Sequence, residues 1–213
     1  MTWILLAGGA VLVESYLLGS LCFGIIFTRL LAHEDIRTKG SGNAGMTNVL
    51  RSVGIKAGAL TGVGDFLKGA AALMLGRYIF NSAGLDPQTG AYIATFGAVL
   101  GHMYPLYFGF RGGKGVMTTA GIMLVLNPLL LVVCGGVFGI VFALSRIVSL
   151  ASLAAALSFP VGNFIVCSCT GAERVVSTVL AATIAALVFW KHRDNIRRLK
   201  NGTENKLEIN RTE

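Results

Sequence analysis

Charge is scarce in this sequence of 213 residues: 13% is Asp, Glu, Lys or Arg, against 54% hydrophobic, where a soluble domain carries about 25% charged. That balance excludes water as the main solvent of the folded chain. No Lys or Arg precedes Arg29, and no small-residue cleavage site follows a short apolar core. The basic start of a secretory signal is therefore missing, and the first helix is expected to stay in the mature protein. The four cysteines, Cys22, Cys134, Cys167 and Cys169, stand in apolar stretches without CxxC or paired Cys/His spacing. They read as packing residues rather than metal ligands. The net charge of +8 comes with no nucleic-acid-reading motif, so anionic lipid headgroups or phosphorylated substrates are the expected partners.

What is abundant is apolar sequence in runs of about 20 residues, the length that crosses a hydrocarbon core of about 30 Å at 1.5 Å per residue. The runs fall at Ile4–Leu31, Lys56–Phe80, Gln88–Phe108, Val116–Leu126, Pro128–Leu144, Ile147–Thr170 and Val175–Trp190. They imply an all-α, polytopic integral membrane protein of about seven transmembrane helices. The chain reads as a single membrane domain, 1–213, whose residues 191–213 form a basic tail. Asn127-Pro128 breaks what would otherwise be one long run, since Pro favours a turn or the first position of a helix. Val116–Leu126 is short for a full span, so it is expected to be tilted, re-entrant or extended by its neighbours. With the N-terminus outside and the C-terminus cytoplasmic, one side collects every basic residue except Arg77, Arg174 and the intramembrane Lys68. Arg211 belongs to that basic side. The asymmetry matches the excess of Lys and Arg in cytoplasmic loops, and it survives if two short segments lie on the surface.

Glu14, Asp65 and Lys68 interrupt apolar helices, where ionisable groups are costly and normally face the bundle interior or a wet cavity. Asp65 and Lys68, three residues apart, share a helix face and are expected to pair. Dense small residues, such as Gly54, Gly58, Gly62 and Gly64, permit close helix approach.

Three polar clusters fall on the basic side. In the first, Lys39 to Arg51, Gly40, Gly42 and Gly45 alternate with Ser41, Asn43, Thr47 and Asn48. Glycines let backbone N–H groups converge on an anion, and a following helix N-terminus can reinforce them. An ordinary Gly/Asn turn would use the same residues. The Walker A spacing is absent, which disfavours nucleotide hydrolysis. The second cluster sets Arg111 and Lys114 among Gly112, Gly113 and Gly115, with Thr118 and Thr119 beyond. Arg offers a planar fork and Lys a mobile charge to phosphate oxygens. The third, Lys191 to Lys206, puts His192, Asn195 and Leu199 on one helical face, able to turn inward while the basic face stays solvated. Arg146 and Ser149 add a shorter loop.

The ordered motifs GSGNxGxTNxLR, GHxxPxxxxxxGGKGV and HRxNIxRLxxGxExK, spread over nearly the whole chain, closely resemble those of the bacterial acyl-phosphate:glycerol-3-phosphate acyltransferases, the PlsY family. Ala44 and Met46 occupy positions that vary in that family. The resemblance implies transfer of a fatty acyl group from acyl phosphate to a glycerol-3-phosphate hydroxyl, giving lysophosphatidate and phosphate at the cytoplasmic face of a bacterial plasma membrane. Ser41, Arg51, Lys114, Ser149, His192 and Asn195 match its functional positions. Arg51 and Lys114 suit phosphate and transition-state charge, and Ser41, Ser149 and Asn195 suit orienting hydrogen bonds. Gly40, Gly42, Asn43, Thr47, Asn48, Arg111, Gly112 and Gly113 complete the expected phosphate-binding set. His192 is a candidate base by its ordinary pKa, but the resemblance favours a phosphate-binding role, with a substrate phosphate accepting the hydroxyl proton.

The His, four residues, Asp pattern of other glycerolipid acyltransferases is missing: the fifth residues after His33, His102 and His192 are Thr38, Tyr107 and Arg197. An acyl-Ser41 intermediate lacks a visible activating His/Asp arrangement. No cofactor or metal is expected, because the clusters lack grouped carboxylates. A transporter of organic phosphate is the competing class, disfavoured because no inverted repeat is evident and the motifs crowd one face. A regulatory membrane scaffold would need no such concentration of phosphate-compatible groups.

Overall fold

The computed structural model describes residues 2–170 and 174–207, and they contain helices, two short 3-10 turns and no strand. Arg211 and the last part of the expected tail, 208–213, lie outside the described residues. The helices are α1 (Thr2–Gly19), α2 (Phe23–Ala32), α3 (Met46–Ser52), α4 (Ile55–Ser82), α5 (Pro87–Met103), α6 (Val116–Leu126), α7 (Pro128–Ser145), α8 (Val148–Thr170), α9 (Arg174–Lys191) and α10 (Arg193–Lys200). Five stretches are long and apolar enough to cross a membrane: Thr2–Ala32, Ile55–Ser82, Pro128–Ser145, Val148–Cys169 and Arg174–Lys191. α5, at 17 residues, and α6, at 11, are shorter. Large apolar side chains such as Trp3, Val175 and Leu144 stand exposed on these helices, as lipid-facing surface requires.

Helix ends follow local chemistry. Asp86 caps α5, its carboxylate accepting from the Gln88 and Thr89 N–H groups at 3.2 and 2.8 Å, and Pro87 opens the first turn, where a missing N–H costs nothing. Asn127 is extended between α6 and α7 and Pro128 starts α7, as expected from the sequence. Two expectations are corrected. The run Ile4–Leu31 is not one helix, because the chain breaks between Gly19 and Phe23. The Ser20 hydroxyl there accepts from Leu106 N–H at 3.2 Å, and Lys68 takes the Leu21 carbonyl at 2.6 Å. The helix expected to continue to Phe108 ends at Met103, since Pro105 cannot donate to the ladder and disfavours helical geometry at Tyr104. Cys22, Cys134 and Cys167 are buried as packing residues, whereas Cys169 is exposed.

Packing divides the chain into two compact units, Met1–Pro128 and Leu129–Glu213. In the first, small residues bring backbones into contact. A Cβ at Gly19 of α1 would overlap the Ala98 backbone of α5, and one at Gly101 of α5 would overlap the Tyr16 carbonyl of α1. Gly69 of α4 meets the Thr118 carbonyl of α6, and Gly121 of α6 meets that of Phe66. The expected Asp65–Lys68 pair forms at 2.8 Å, with each side chain 2% exposed. Arg77 satisfies its guanidinium on the Val125 carbonyl and Gln88, each at 3.1 Å. Glu14, half-buried, lines an apolar groove with leucines of α1 and with Leu75 of α4. In the second unit, buried Asn163 of α8 donates to Ser177 and Thr178 of α9 at 2.9 and 3.0 Å, a polar seam of the kind that joins helices in lipid.

These contacts predict that Gly69→Ala and Gly121→Ala each destabilise the protein by about 1–3 kcal/mol through overpacking. Gly135→Ala, with nothing within 4 Å of its added methyl, should leave thermal unfolding in detergent unchanged.

Candidate active site

The first glycine-rich loop is wrapped around one amide. Asn48, in α3 and 7% exposed, accepts from Ser41 N–H at 3.0 Å and donates to the Lys39 and Asn43 carbonyls at 3.0 and 2.9 Å. Gly40 and Gly42 have φ of 53° and 69°, left-handed geometry that glycine adopts without strain. Asn43 closes a tighter turn by accepting from Gly45 N–H at 3.0 Å, and Gly42 N–H donates to the Lys39 carbonyl at 2.9 Å. The amides of Ser41, Gly42 and Gly45 are thus engaged inside the loop. The chemistry it can offer outward lies in the exposed Ser41 and in Arg51 at the end of α3, with Thr47 half-buried beside them.

The second loop packs beneath its own glycines. Gly112 and Gly113 are buried, Arg111 is exposed and Lys114 is intermediate. Gly113 N–H donates to the His102 carbonyl at 3.1 Å, and a Cβ at Gly113 would overlap His102 Nε2. Gly115, with φ of 84°, starts α6. In the next turn the buried hydroxyls of Thr118 and Thr119 have no hydrogen-bond partner among the described residues.

Arg37 ties the two loops together. It forks onto Asp35 through Nε at 2.9 Å and Nη2 at 2.7 Å, and its Nη1 donates to the Phe108 carbonyl at 2.7 Å. Arg29 adds a bond to Asp35 at 2.9 Å and lies over the Phe108 ring, 5.9 Å from its centroid. Bonds from Arg37 and Arg29 hold the Asp35 carboxyl well below its usual range against the smaller effect of burial, and the fork raises Arg37 in return. Beneath this clamp, Ile36, Ala44 and Val49 form a buried apolar cluster against which Phe108 packs. The loops bearing Ser41, Arg51 and Lys114 therefore meet at one end of the first unit.

In the second unit, Ser149 and Asn195 converge on a carboxylate. Glu204 Oε1 accepts from Ser149 Oγ at 2.8 Å and Asn195 Nδ2 at 2.5 Å, while Oε2 accepts from Arg198 Nε at 2.6 Å. Leu207 N–H donates to the Arg146 carbonyl at 2.8 Å, so residues 201–207 fold back as a strap. His192 and Asn195 are buried, while Arg193, Asp194, Arg197 and Lys200 are exposed, the expected division of faces. His192 Nδ1 lies 2.8 Å from the Val188 carbonyl. A carbonyl only accepts, so Nδ1 carries a proton and donates to it.

Sequence reasoning passed over Asp35, Arg37, His102 and Glu204 as site residues. The Asp-x-Arg spacing and the Glu in the third motif were visible signals. His102 had only its place in the second motif.

Burial raises the Glu204 carboxyl, but bonds from Asn195, Ser149 and Arg198 outweigh it and leave the pKa lowered. A lowered folded-state pKa stabilises fully above the unfolded value of about 4.3 and is lost as pH falls through the folded value. Glu204→Gln should therefore cost about 1–3 kcal/mol at pH 7. The gap from wild type should close at acid pH, as read by thermal unfolding followed through tryptophan fluorescence.

The sequence pattern of the glycerol-3-phosphate acyltransferase family matches residues 9–202. A glycerol-3-phosphate acyltransferase of Clostridioides difficile is 41% identical over 92% of this chain and 93% of its own length. One of Bordetella pertussis is 40% identical over 95% of this chain and 93% of its own. The crystal structure of PlsY, an integral membrane glycerol 3-phosphate acyltransferase, in its glycerol 3-phosphate form superposes with a TM-score of 0.82 at 37% identity, covering 94% of this chain and 96% of that one. The lysophosphatidic acid form gives 0.79 at 36%, covering 94% and 95%. With its apolar helices and these relatives, the chain is a multi-pass membrane protein that belongs to the glycerol-3-phosphate acyltransferase family, alongside PlsY.

Proposed function

We propose that this protein transfers a fatty acyl group from acyl phosphate to glycerol-3-phosphate, releasing lysophosphatidate and inorganic phosphate, as the first acylation of phospholipid synthesis. The observation that carries the reading is the joining, through Arg37 and the Phe108 carbonyl, of two glycine-rich loops that bear Ser41, Arg51, Arg111 and Lys114. Both substrates carry phosphate, one arrives from water and the other from the bilayer. A cationic site at a membrane face suits that pair. The chain works as one acyltransferase domain of about seven spans in a bacterial plasma membrane, N-terminus outside and the loops cytoplasmic, a topology supported by the bias of Lys and Arg toward one side.

In this reading the substrate hydroxyl oxygen forms a bond to the acyl carbon while the bond from that carbon to the phosphate oxygen breaks. The hydroxyl proton leaves on a substrate phosphate, so the protein supplies no base. Arg51 and Lys114 hold phosphate and the charge that grows as the leaving group departs. Ser41, Ser149 and Asn195 orient the reactants, and His192 binds phosphate through Nε2. The turns at Gly40 and Gly42 set the place of Ser41, whose N–H the Asn48 amide holds, while Asn43 closes the turn onto Gly45; Thr47, Arg111, Gly112 and Gly113 line the phosphate path.

Purified protein given palmitoyl phosphate and glycerol-3-phosphate should yield equal amounts of lysophosphatidate and phosphate. Lys114→Ala should lower turnover by about 100- to 1,000-fold, the range for losing one group that stabilises transition-state charge. A folded wild type that makes neither product yet moves glycerol-3-phosphate into liposomes would replace the enzyme with a transporter.

A further inference from the structure

The Asp65–Lys68 pair looks, in sequence, like a charge neutralised for the sake of the membrane. In the fold it continues into a third residue. Asp65 Oδ1 lies 2.8 Å from Lys68 Nζ and 3.5 Å from His102 Nδ1, and all three side chains are buried. Lys68 also donates to the Leu21 carbonyl at 2.6 Å, so its ammonium is held between that carbonyl and the carboxylate oxygen that His102 also approaches.

His102 touches the second glycine-rich loop through two of its own groups. Its carbonyl accepts from Gly113 N–H at 3.1 Å, and the space that a Cβ would need at Gly112 is filled by that carbonyl and by Pro105. Its ring, with Nδ1 toward Asp65, lays Nε2 against the Cα of Gly113. The residue that follows is Lys114. A buried ring whose Nδ1 lies 3.5 Å from a buried carboxylate oxygen thus forms the floor on which Gly112 and Gly113 rest, and the backbone of those glycines sets where the lysine begins.

We infer that Asp65 and His102 form a positioning pair, buried in the helices, that sets the conformation of the Gly112–Gly113–Lys114 loop for binding a substrate phosphate. The inference rests on the phosphate-binding reading of that loop and adds two residues that touch no substrate. Their effect is transmitted through the glycine backbone. A supporting group of this kind governs how well the loop is preorganised, so its loss weakens substrate binding more than it slows the chemical step.

The test compares His102→Ala, His102→Asn, Gly113→Ala and the His102→Ala/Gly113→Ala double variant with wild type. Steady-state kinetics in each substrate are measured beside equilibrium binding of glycerol-3-phosphate by calorimetry. His102→Ala should raise KM for at least one substrate by about 10- to 100-fold, the scale of a small misplacement of a positioning group, with kcat within about threefold of wild type. His102→Asn, which keeps a donor facing Asp65, should recover part of the loss. Gly113→Ala, which leaves Asp65 and Lys68 untouched, should raise the same KM because its methyl meets the imidazole; without the ring that methyl should add less than about twofold. Unchanged KM values in both single variants, or full and independent effects in the double variant, would overturn the inference. Wild type that binds glycerol-3-phosphate without turning it over, while His102→Ala loses affinity, would sink the acyltransferase reading and leave the positioning pair standing. Absence of binding by wild type would remove both.

Discussion

The first unit depends on one ammonium group placed where lipid would not tolerate it alone. Lys68 sits in the middle of α4 at 2% side-chain exposure, in a helix whose surroundings cannot solvate a charge. Two groups with complementary needs meet it there. The Leu21 carbonyl is left without a helical partner where α1 has ended and α2 has not begun, and a buried carbonyl without a donor is costly. Asp65 supplies the opposite charge. The break in the first membrane segment and the charge in the second are thus one feature, since each satisfies the other.

Close helix contact follows a different rule. Lipid gives no hydrophobic reward for bringing helices together, so association draws on packing and polar contacts. Gly19, Gly69, Gly101 and Gly121 let backbone meet backbone between α1, α5, α4 and α6. Those contacts seat α5 on α1 and α6 on α4, and Gly76 and Gly90 bring α4 against α5, so the loop between α5 and α6 inherits its ends from them. The first loop is anchored in another way, by the Asn48 amide inside it and by the Arg37 fork that reaches across to Phe108. Glycine shapes both loops, for opposite reasons: Gly40 and Gly42 adopt left-handed backbone, whereas Gly113 yields room to an imidazole.

The second unit gathers its polar groups around a carboxylate. Glu204 binds Ser149, Asn195 and Arg198 at once, so residues from two helices share one acceptor on the strap. Charge-assisted bonds of this kind are short and directional. They fix the Ser149 and Asn195 side chains far more tightly than a solvated loop would. The helix that carries Asn195 also turns its exposed arginines outward, which keeps the basic face and the buried face of α10 apart.

Much of this protein is legible along its chain. Apolar run length predicts helices in a bilayer, Pro128 and Pro87 mark helix starts, and the three-residue spacing of Asp65 and Lys68 predicts their pairing. The three ordered motifs carry the family. Local chemistry suffices for all of these, because each is settled by residues within a few positions of one another. The break at Ser20–Cys22, the Arg37 bridge to Phe108, the place of His102 beneath Gly113 and the binding of Glu204 to Ser149 are of another kind. The contacts at the break, at the Arg37 bridge and at Glu204 join groups 47 to 86 residues apart, and His102 meets Gly113 across the loop that leaves α5; each exists because packing left a particular carbonyl, hydroxyl or carboxylate to be satisfied. Sequence spacing determined which elements form and what chemistry they carry; only the folded arrangement decided which distant polar groups had to find one another once water was gone.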